Sequence, residues 1–274
     1  MLDSPCVEHL FIITGTTRGI GRALADRVLA LDRSFVVGFS RADAFFEGNR
    51  QDVRIDLNAI ETIGSAFDAI GLDSERTGGL KQTVLINNAG VLAPIAPIVD
   101  CDPEELAGNI RVNLTAPMVL AHHFYRFSKS FPGKKWIVNI TSGASRSPYF
   151  GWSAYGAAKA GLDMATRAMA LEFSRIDPAF RVCAVAPGTV DTDMQAQIRK
   201  CTPEQFERVD KFIDLKANNA LFTPEQTARD LIRLILEGGL ENGRRYDLRE
   251  MTGQLPAETP AIATGKNAAR YRGA

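Results

Sequence analysis

The sequence predicts an α/β fold in a single domain: a doubly wound, mainly parallel sheet of seven strands with helices on both faces. Short β-branched runs alternate along the chain with longer segments of helical period, which is the pattern of βαβ units. Several short runs are apolar without alternation, as expected of strands buried on both faces. A chain of 274 residues, 45% of them hydrophobic, is long enough to bury such a core.

The predicted strands are the short apolar runs. They cover residues 7–13, 35–39, 52–55, 83–86, 136–140, 182–185 and 245–248. The predicted helices fill the intervals between them. They cover residues 19–31, 59–70, 103–112, 116–129, 153–174 and 224–236. Thr223 before Pro224, with Gln226 following, predicts the N-terminal cap of the last helix.

Two segments carry weaker signals. Residues 191–221 combine helical charge patterning with weak apolar periodicity, which we interpret as a mobile lid over a substrate site. A packed pair of surface helices is the alternative. Residues 251–274 are rich in Ala, Gly, Pro and Thr, which predicts a loosely ordered tail. We therefore expect one domain over residues 1–250, followed by this tail.

Composition excludes several classes of function. Thirty-two Lys and Arg balance thirty-two Asp and Glu, so the chain lacks the basic excess of a nucleic-acid-binding protein. No apolar run approaches the roughly 18 to 20 residues that span a bilayer. Four scattered cysteines and three histidines favour neither a disulfide framework nor a metal site. We expect a cytoplasmic protein without a bound metal.

A glycine-rich loop, TGTTRGIG at residues 14–21, follows the first predicted strand and opens a predicted helix. Glycines allow the sharp turn and close backbone approach that a pyrophosphate needs, and the helix start offers unpaired N–H groups. Strand, loop and helix in this order predict a Rossmann-type dinucleotide site. The cofactor contacts predicted in the loop are Gly15, Thr17, Arg18, Gly19, Ile20 and Gly21.

The end of the second predicted strand favours NADP over NAD. An NAD enzyme normally has Asp or Glu there, which accepts from the ribose 2′-OH and repels a 2′-phosphate. This sequence has Ser40 and Arg41 instead. Arg18 is a second cation able to reach the phosphate through charge-assisted hydrogen bonds. The nearby carboxylate of Asp43 opposes this prediction. The alternative is that both arginines are solvated surface charges that bind no phosphate.

Tyr155 and Lys159 are four residues apart at the start of a predicted helix, so they share one helix face. A free phenol, with a pKa of about 10, needs a nearby cation to act as an acid or base at neutral pH. Ser142 follows a predicted strand, at the carboxyl edge of the sheet where ligands bind. Read singly, these are a surface pair and a turn residue, and Asn113 and Asn88 are caps.

Together these residues resemble the short-chain dehydrogenase/reductase family over about residues 7–250. The motifs stand in the family's order: GxxxGxG at 15–21, NNAG at 87–90, Asn113, Ser142, YxxxK at 155–159, and Pro187-Gly188. The resemblance implies that Tyr155 is the general acid in reduction and the general base in oxidation. It also implies that Ser142 polarises the carbonyl and that Asn113 holds a water of the proton relay. Lys159 would bind the nicotinamide ribose and lower the pKa of Tyr155.

The same resemblance implies further contacts to the cofactor. Asp56 would contact the adenine, and residues 187–192 would pack around the nicotinamide carboxamide. The full set of these contacts comprises Asp56, Leu57, Asn88, Ala89, Gly90, Asn113, Tyr155, Lys159, Pro187, Gly188, Val190 and Thr192.

The second half is similar to one branch of the family, the sepiapterin reductases and bacterial benzil reductases, at PYFGWSAY (148–155) and VDTDMQ (190–195). That branch reduces vicinal dicarbonyls with NADPH. Asp247 falls where an aspartate anchors the pterin in sepiapterin reductases. The alternative is that Asp247 is an ordinary residue at the end of a strand. Tyr149, Trp152 and Met194 are the other candidate substrate contacts. The apolar stretch 91–99 and the tail depart from the pterin enzymes.

We therefore expect an NADPH-dependent carbonyl reductase acting on a 1,2-dicarbonyl such as benzil or on a sepiapterin-like compound. The alternatives are a 3-oxoacyl-thioester reductase or another alcohol dehydrogenase of the family, and an NADP-sensing protein that has lost the chemistry. The family pairs through the helix carrying Tyr155 and the helix before it, which implies a homodimer or homotetramer. The expected partner is a small carbonyl compound, without nucleic acid or membrane.

Overall fold

The computed structural model describes residues 6–251, which build one eight-stranded sheet in the order β3-β4-β2-β1-β5-β6-β7-β8. All neighbouring strands are parallel except β3 and β4. This confirms the predicted doubly wound α/β fold. The strands are β1 (His9–Thr14), β2 (Ser34–Ser40), β3 (Phe45–Glu47), β4 (Arg50–Arg54), β5 (Gln82–Asn87), β6 (Lys134–Ile140), β7 (Phe180–Ala186) and β8 (Arg245–Asp247).

The sheet has one strand more than the seven predicted. The additional strand is β3, which pairs antiparallel with β4 at the edge of the sheet, and its three residues are all exposed. Three residues are too few to show a period of two, and an exposed edge strand lacks the buried apolar run that identified the other strands.

The helices lie on both faces of the sheet. They are α1 (Gly19–Leu29), α2 (Ile63–Asp68), α3 (Ser74–Thr77), α4 (Pro103–Ile110), α5 (Ala116–Ser128), α6 (Ser153–Ile176), α7 (Asp193–Ile198), α8 (Val209–Ala217), α9 (Pro224–Glu237) and α10 (Leu248–Met251). The predicted cap of α9 is a capping box between Thr223 and Gln226.

Two predicted helices differ in detail from those observed. The helix predicted over 59–70 begins as a 3₁₀ turn, Ile60–Thr62, and is α-helical only over Ile63–Asp68. The helices predicted over 103–112 and 116–129 are joined by a π-helical segment, Arg111–Thr115, into one helical path. A π-bulge adds a residue without breaking the helix, so it has no sequence signal of its own.

The core has one layer on each face of the sheet. One layer packs α1 and α9 on the strands, with Leu24, Val28 and Leu231 fully buried. The other packs α2, α5 and α6, with Ile63 and Phe124 at 0% exposure. Burying one such side chain contributes about 1.5 to 3 kcal/mol. These layers hold the carboxyl ends of the parallel strands side by side at one edge, where the predicted site residues lie.

The segment predicted as a lid, residues 191–221, contains α7 and α8. Its side chains Phe206, Val209 and Phe212 are buried, so the segment is packed on the domain, and its mobility stays a prediction. The predicted tail lies outside the described residues from position 252 onwards. Within residues 6–251, no helix has the length and apolarity needed to cross a membrane.

Candidate active site and cofactor groove

The glycine-rich loop is tied to the loop that follows β5. The Thr14 hydroxyl accepts from the backbone N–H groups of Asn88 at 2.9 Å and Ala89 at 2.8 Å, and Asn88 Nδ2 donates to the Thr14 carbonyl at 2.8 Å. These bonds join the ends of β1 and β5, the two strands between which the sheet reverses its winding order. In open α/β sheets this crevice is where ligands bind.

The loop itself fits a pyrophosphate. Gly15 and Gly19 have φ of 77° and 54°, values that side-chain-bearing residues rarely adopt. A Cβ on Gly21 would collide with the Gly15 carbonyl oxygen and lie 2.6 Å from Asn88 Nδ2. The start of α1 has no side-chain cap, so its N–H groups and positive dipole are available to an anion. Thr17 is exposed, whereas Ile20 packs against the core.

The cations predicted to bind a 2′-phosphate lie at the surface. Arg41 follows β2, is exposed, and has no ion-pair partner within residues 6–251. Asp43, the carboxylate that opposed the NADP prediction, pairs with Arg54 at 3.0 Å. Arg18 pairs with Asp193 of α7 at 2.8 Å, with both side chains 65% exposed. An exposed pair of this kind contributes about 0 to 1 kcal/mol.

The residues predicted to contact the adenine lie beside Ser40. The Ile55 N–H donates to the Ser40 carbonyl at 2.7 Å, which sets the end of β4 against the end of β2. Asp56 follows, and its Oδ1 accepts from the Asn58 N–H at 2.9 Å. Leu57 is buried at 8% exposure. The structure thus brings Ser40, Asp56 and Leu57 to one end of the groove.

The loop after β7 closes the other side of the groove. Gly188 has φ of 83°, and it follows Pro187. Val190 forms a β-bridge with Phe222. The Thr192 methyl carbon lies 3.3 Å from the position of a Cβ on Gly19, so this loop contacts the glycine-rich loop directly.

Three predicted catalytic residues meet at the carboxyl end of β6. Ser142 follows β6, and its side chain is near enough to Tyr155 on α6 to lower the pKa of the phenol by hydrogen bonding. Tyr155 is 7% exposed and Lys159 is 4% exposed. Lys159 Nζ donates to the Ile140 carbonyl at 2.8 Å and lies 5.8 Å from the centre of the Tyr155 ring. The three residues, up to 17 positions apart in the sequence, therefore lie together, with Tyr155 and Lys159 buried and Ser142 partly exposed.

Burial dominates the ionisation of this group. It lowers the pKa of Lys159 to about 8, and the charge of Asp163 partly opposes that shift. Burial also raises the pKa of Tyr155 above its ordinary value, while the hydrogen bond from Ser142 opposes the rise. Desolvation of the phenolate thus outweighs the stabilising contact in this structure, and the lowering of the Tyr155 pKa by Lys159 together with the nicotinamide stays a prediction.

Asn113 lies in the π-helical segment and is fully buried. Its Oδ1 accepts from the Val91 N–H at 3.1 Å, and its Nδ2 donates to the Val91 carbonyl at 2.7 Å and to Asn109 Oδ1 at 2.9 Å. A Cβ on Gly90 would come within 2.8 Å of Asn113 Oδ1 and 3.8 Å of Lys159 Nζ. Asn113 is thus next to Lys159 and fixes the loop after β5.

An aromatic cluster adjoins Tyr155. Trp152 stacks on Phe206 with ring centres 4.4 Å apart and meets Tyr155 edge-on at 5.5 Å. Tyr149 lies 5.0 Å from Trp152, and Met194 packs against the same cluster. Sequence reasoning missed Phe206 and Phe212, which complete the cluster. Their separation from Trp152 by more than 50 positions gives no local pattern that would have identified them.

Asp247 lies at the end of β8 and is engaged within the protein. Its two carboxylate oxygens accept from Arg249 Nε at 2.8 Å and Nη2 at 2.6 Å. The Arg249 side chain in turn passes over Gly188, with its Cγ 3.1 Å from the position of a Cβ there. The Asp247–Arg249 pair therefore lies beside the loop after β7.

Comparison with known proteins agrees with this geometry. The family model described as short chain dehydrogenase matches residues 9–202. The benzil reductase ((S)-benzoin forming) of Bacillus subtilis (strain 168) is 38% identical over 247 residues, 88% of this chain and 99% of that protein. The sepiapterin reductase of Meriones unguiculatus is 29% identical over 255 residues, 86% of this chain and 94% of that protein.

The solved structures agree on the fold. The crystal structure of the KRED1-Pglu enzyme superimposes with a TM-score of 0.73 at 29% identity, covering 86% of this chain and 99% of that one. The family match spans the glycine-rich loop, Asn113, Ser142, Tyr155 and Lys159, which the structure gathers at one edge of the sheet. The chain is similar to benzil and sepiapterin reductases and belongs to the short-chain dehydrogenase family, as an oxidoreductase acting on CH–OH and C=O groups.

Proposed function

We propose that the protein is an NADPH-dependent carbonyl reductase that acts on vicinal dicarbonyls such as benzil, with Tyr155 as the proton donor. The observation that carries the proposal is the position of buried Tyr155, with Lys159 Nζ 5.8 Å from its ring on one side and the aromatic cluster on the other. A proton donor thus stands between a cationic, cofactor-facing side and an apolar, substrate-facing side.

The residues at the edge of the sheet fit NADPH, which when bound supplies the hydride for carbonyl reduction. The glycine-rich loop and the start of α1 would hold the pyrophosphate. Arg41, and Arg18 after release from Asp193, would hold the 2′-phosphate. Asp56 and Leu57 would flank the adenine. Asn88, Ala89, Gly90 and residues 187–192 would flank the nicotinamide, with Lys159 on its ribose.

The protein's part in the reaction is proton transfer. The hydroxyl groups of Ser142 and Tyr155 would both face the substrate oxygen, and Tyr155 would donate its proton as charge develops there. The raised pKa of Tyr155 keeps the phenol protonated until that moment. Lys159 then stabilises the phenolate that remains. Both amide hydrogens of Asn113 are used within the protein, so a relay water would bind its Oδ1 or its backbone carbonyl.

The aromatic cluster supports an aryl or otherwise flat dicarbonyl as substrate. Tyr149, Trp152, Phe206 and Phe212 form a rigid apolar wall of the type that lines small-molecule pockets. Trp152 Nε1 is buried and has no acceptor among residues 6–251. A buried donor without a partner costs about 1 to 3 kcal/mol, and the second carbonyl of a dicarbonyl would relieve that cost.

The Asp247–Arg249 pair favours a dicarbonyl over a pterin. An aspartate that anchors a pterin must accept from the ring's N–H groups, whereas both oxygens of Asp247 already accept from Arg249. Admitting a pterin would require Asp247 to give up these bonds to Arg249, which opposes binding. Sepiapterin is therefore the second candidate substrate.

The test is NADPH consumption, with NADH in parallel, on benzil, sepiapterin and a 3-oxoacyl thioester. We expect turnover of benzil with NADPH well above the other two substrates. Turnover confined to the thioester would replace the proposal with acyl reduction. Tight binding of NADPH without turnover of any carbonyl would favour the NADP-sensing alternative.

A further inference from the structure

Helix α6 carries a third ionisable side chain, Asp163, one turn beyond the two proposed catalytic residues. Tyr155, Lys159 and Asp163 are spaced four residues apart along α6, so each lies one turn beyond the last on the same side of the helix. The Asp163 carboxylate is close enough to Lys159 to favour its charged form. Asp163 is therefore the counter-charge on the helix that carries both catalytic side chains.

Asp163 is held by an arginine from the neighbouring edge strand. Arg245 of β8 donates from Nε to Asp163 Oδ2 at 3.0 Å, and the two side chains are 13% and 15% exposed. The other carboxylate oxygen, Oδ1, is buried and has no hydrogen-bond partner among residues 6–251. One oxygen is thus bound by Arg245, and the other is buried with a free lone pair inside the protein.

Arg245 also contacts the backbone of Ser142. Its Nη2 donates to the Ser142 backbone carbonyl at 3.1 Å. The same oxygen accepts from the Ser145 hydroxyl at 2.8 Å, and Arg245 adds a charged, geometrically fixed donor from a different element. Arg245 therefore links the backbone of Ser142 to Asp163, which lies one turn beyond Lys159 on α6.

We infer that Asp163 and Arg245 are positioning residues of the catalytic centre, which fix the backbone of Ser142 and supply the counter-charge of Lys159. This inference rests on the proposed function. Neither residue belongs to the motifs that identify the family in this sequence, and neither contacts the glycine-rich loop or the aromatic cluster. Asp163 interacts with two cations, Lys159 and Arg245. Substitutions of Asp163 and of Arg245 are therefore expected to have different effects on Lys159.

Charged groups near Lys159 come from several of the helices, strands and turns around it. On α6 the charge that acts on Lys159 is Asp163, and from β8 Arg245 pairs with Asp163 and is influenced by Asp247. Arg146, in the turn after β6, faces Arg245. The π-helical segment contributes the neutral Asn113 beside Lys159. Asp163 is the carboxylate that favours the charged form of Lys159.

Two substitutions are expected to move the ionisation of Lys159 in opposite directions. Asp163→Asn removes the negative charge and leaves Lys159 beside an unpaired Arg245, so the alkaline limb of kcat/KM moves to lower pH. Arg245→Met frees Asp163 to act on Lys159 alone, so the limb moves to higher pH, while kcat falls at every pH because Ser142 loses a donor. A shift of about one pH unit is a tenfold change in rate above the limb.

Two further variants separate positioning from loss of structure. Arg245→Lys keeps the charge and restores the limb of the wild type. Asp177→Asn breaks the comparable pair with Lys135, whose atoms are 3.6 Å apart at the opposite edge of the sheet, and leaves the limb in place. Thermal unfolding of each variant verifies that it is folded.

A second readout does not require turnover. The ¹³Cε resonances of labelled lysines report the pKa of Lys159 in the cofactor-free protein, with Lys159→Arg as the assignment control. A wild type that reduces no carbonyl would overturn the proposed function. This titration would still test whether Asp163 and Arg245 set the ionisation of Lys159. Identical limbs and identical Lys159 pKa values in wild type, Asp163→Asn and Arg245→Met would overturn the inference, as would an equal shift in Asp177→Asn.

Discussion

The Nζ of Lys159 donates a hydrogen bond to the backbone carbonyl of Ile140 at 2.8 Å. This contact pins the ammonium group of α6 to the last residue of β6. An ammonium has three donors, so this bond leaves two for other partners. The contact explains how a helix and a strand from different parts of the sequence hold one cation beside Tyr155.

The pH dependence of reduction is predicted from Lys159. Burial lowers its pKa to about 8, so the ammonium is present below that pH and is lost above it. The pKa of Tyr155 is raised, so the phenol stays protonated throughout this range. We expect kcat/KM for carbonyl reduction to fall above about pH 8. Lys159→Arg, which stays charged, removes this limb at a lower overall rate, whereas a flat profile to pH 9.5 in the wild type would contradict the assignment.

Preference for NADPH is predicted from Arg41. The side chain is exposed and unpaired within residues 6–251, and a hydrogen bond to a charged group contributes about 1.5 to 3 kcal/mol. Arg41→Ala is therefore expected to raise KM for NADPH by about tenfold or more and to leave KM for NADH unchanged. The matched control is Arg22→Ala on α1, which pairs with Asp26 at 3.7 Å. An equal loss with both cofactors would count against a 2′-phosphate contact.

The close packing of Gly21 is predicted to be essential for the cofactor groove. In Gly21→Ala the new Cβ meets the Gly15 carbonyl oxygen and Asn88 Nδ2, and overpacking of this kind costs about 1 to 3 kcal/mol. NADPH fluorescence is expected to show binding weakened at least tenfold, with a lower Tm. Gly108→Ala in α4 is the control, since its Cβ has only an ordinary contact at 3.8 Å. Unchanged binding in Gly21→Ala would contradict the loop geometry.

Self-association is predicted to use α6. Met164 and Leu171 are two turns apart on this helix and are 58% and 66% exposed, which is unusual for large apolar side chains on one face. We expect a homodimer or homotetramer that Leu171→Glu converts to a monomer. Ile98→Glu, at a residue 59% exposed in the turn before α4, serves as the control. A monomeric mass for the wild type at micromolar concentration, measured by light scattering, would exclude this interface.

The sequence predicts the central sheet and the motif residues well, because both have strong local signals. Runs such as residues 35–39 are uniformly apolar, and YxxxK places two side chains on one helix face whatever the tertiary structure. The predicted placement of Ser142, Tyr155 and Lys159 together follows from the rule that parallel strands end at one edge.

Features that depend on distant contacts were not predictable. β3 is three exposed residues, and the π-helical turn at Asn113 is set by its bonds to Val91 and Asn109. The burial that raises the pKa of Tyr155 was not predictable either, because it depends on packing against Trp152, which in turn stacks on Phe206 from the segment 191–221. The pairing of Asp247 with Arg249 likewise required the folded geometry of β8 and α10.

The central claim, that Tyr155 donates the proton to a carbonyl substrate, is tested most directly by comparing wild type and Tyr155→Phe. The measurement is NADPH consumption with benzil at pH 7, together with NADPH binding by fluorescence. We predict that Tyr155→Phe binds NADPH as the wild type does and loses at least 100-fold of kcat, consistent with the roughly 10² to 10⁴ that a general acid contributes. Benzil reduction by Tyr155→Phe at the rate of the wild type would contradict the account.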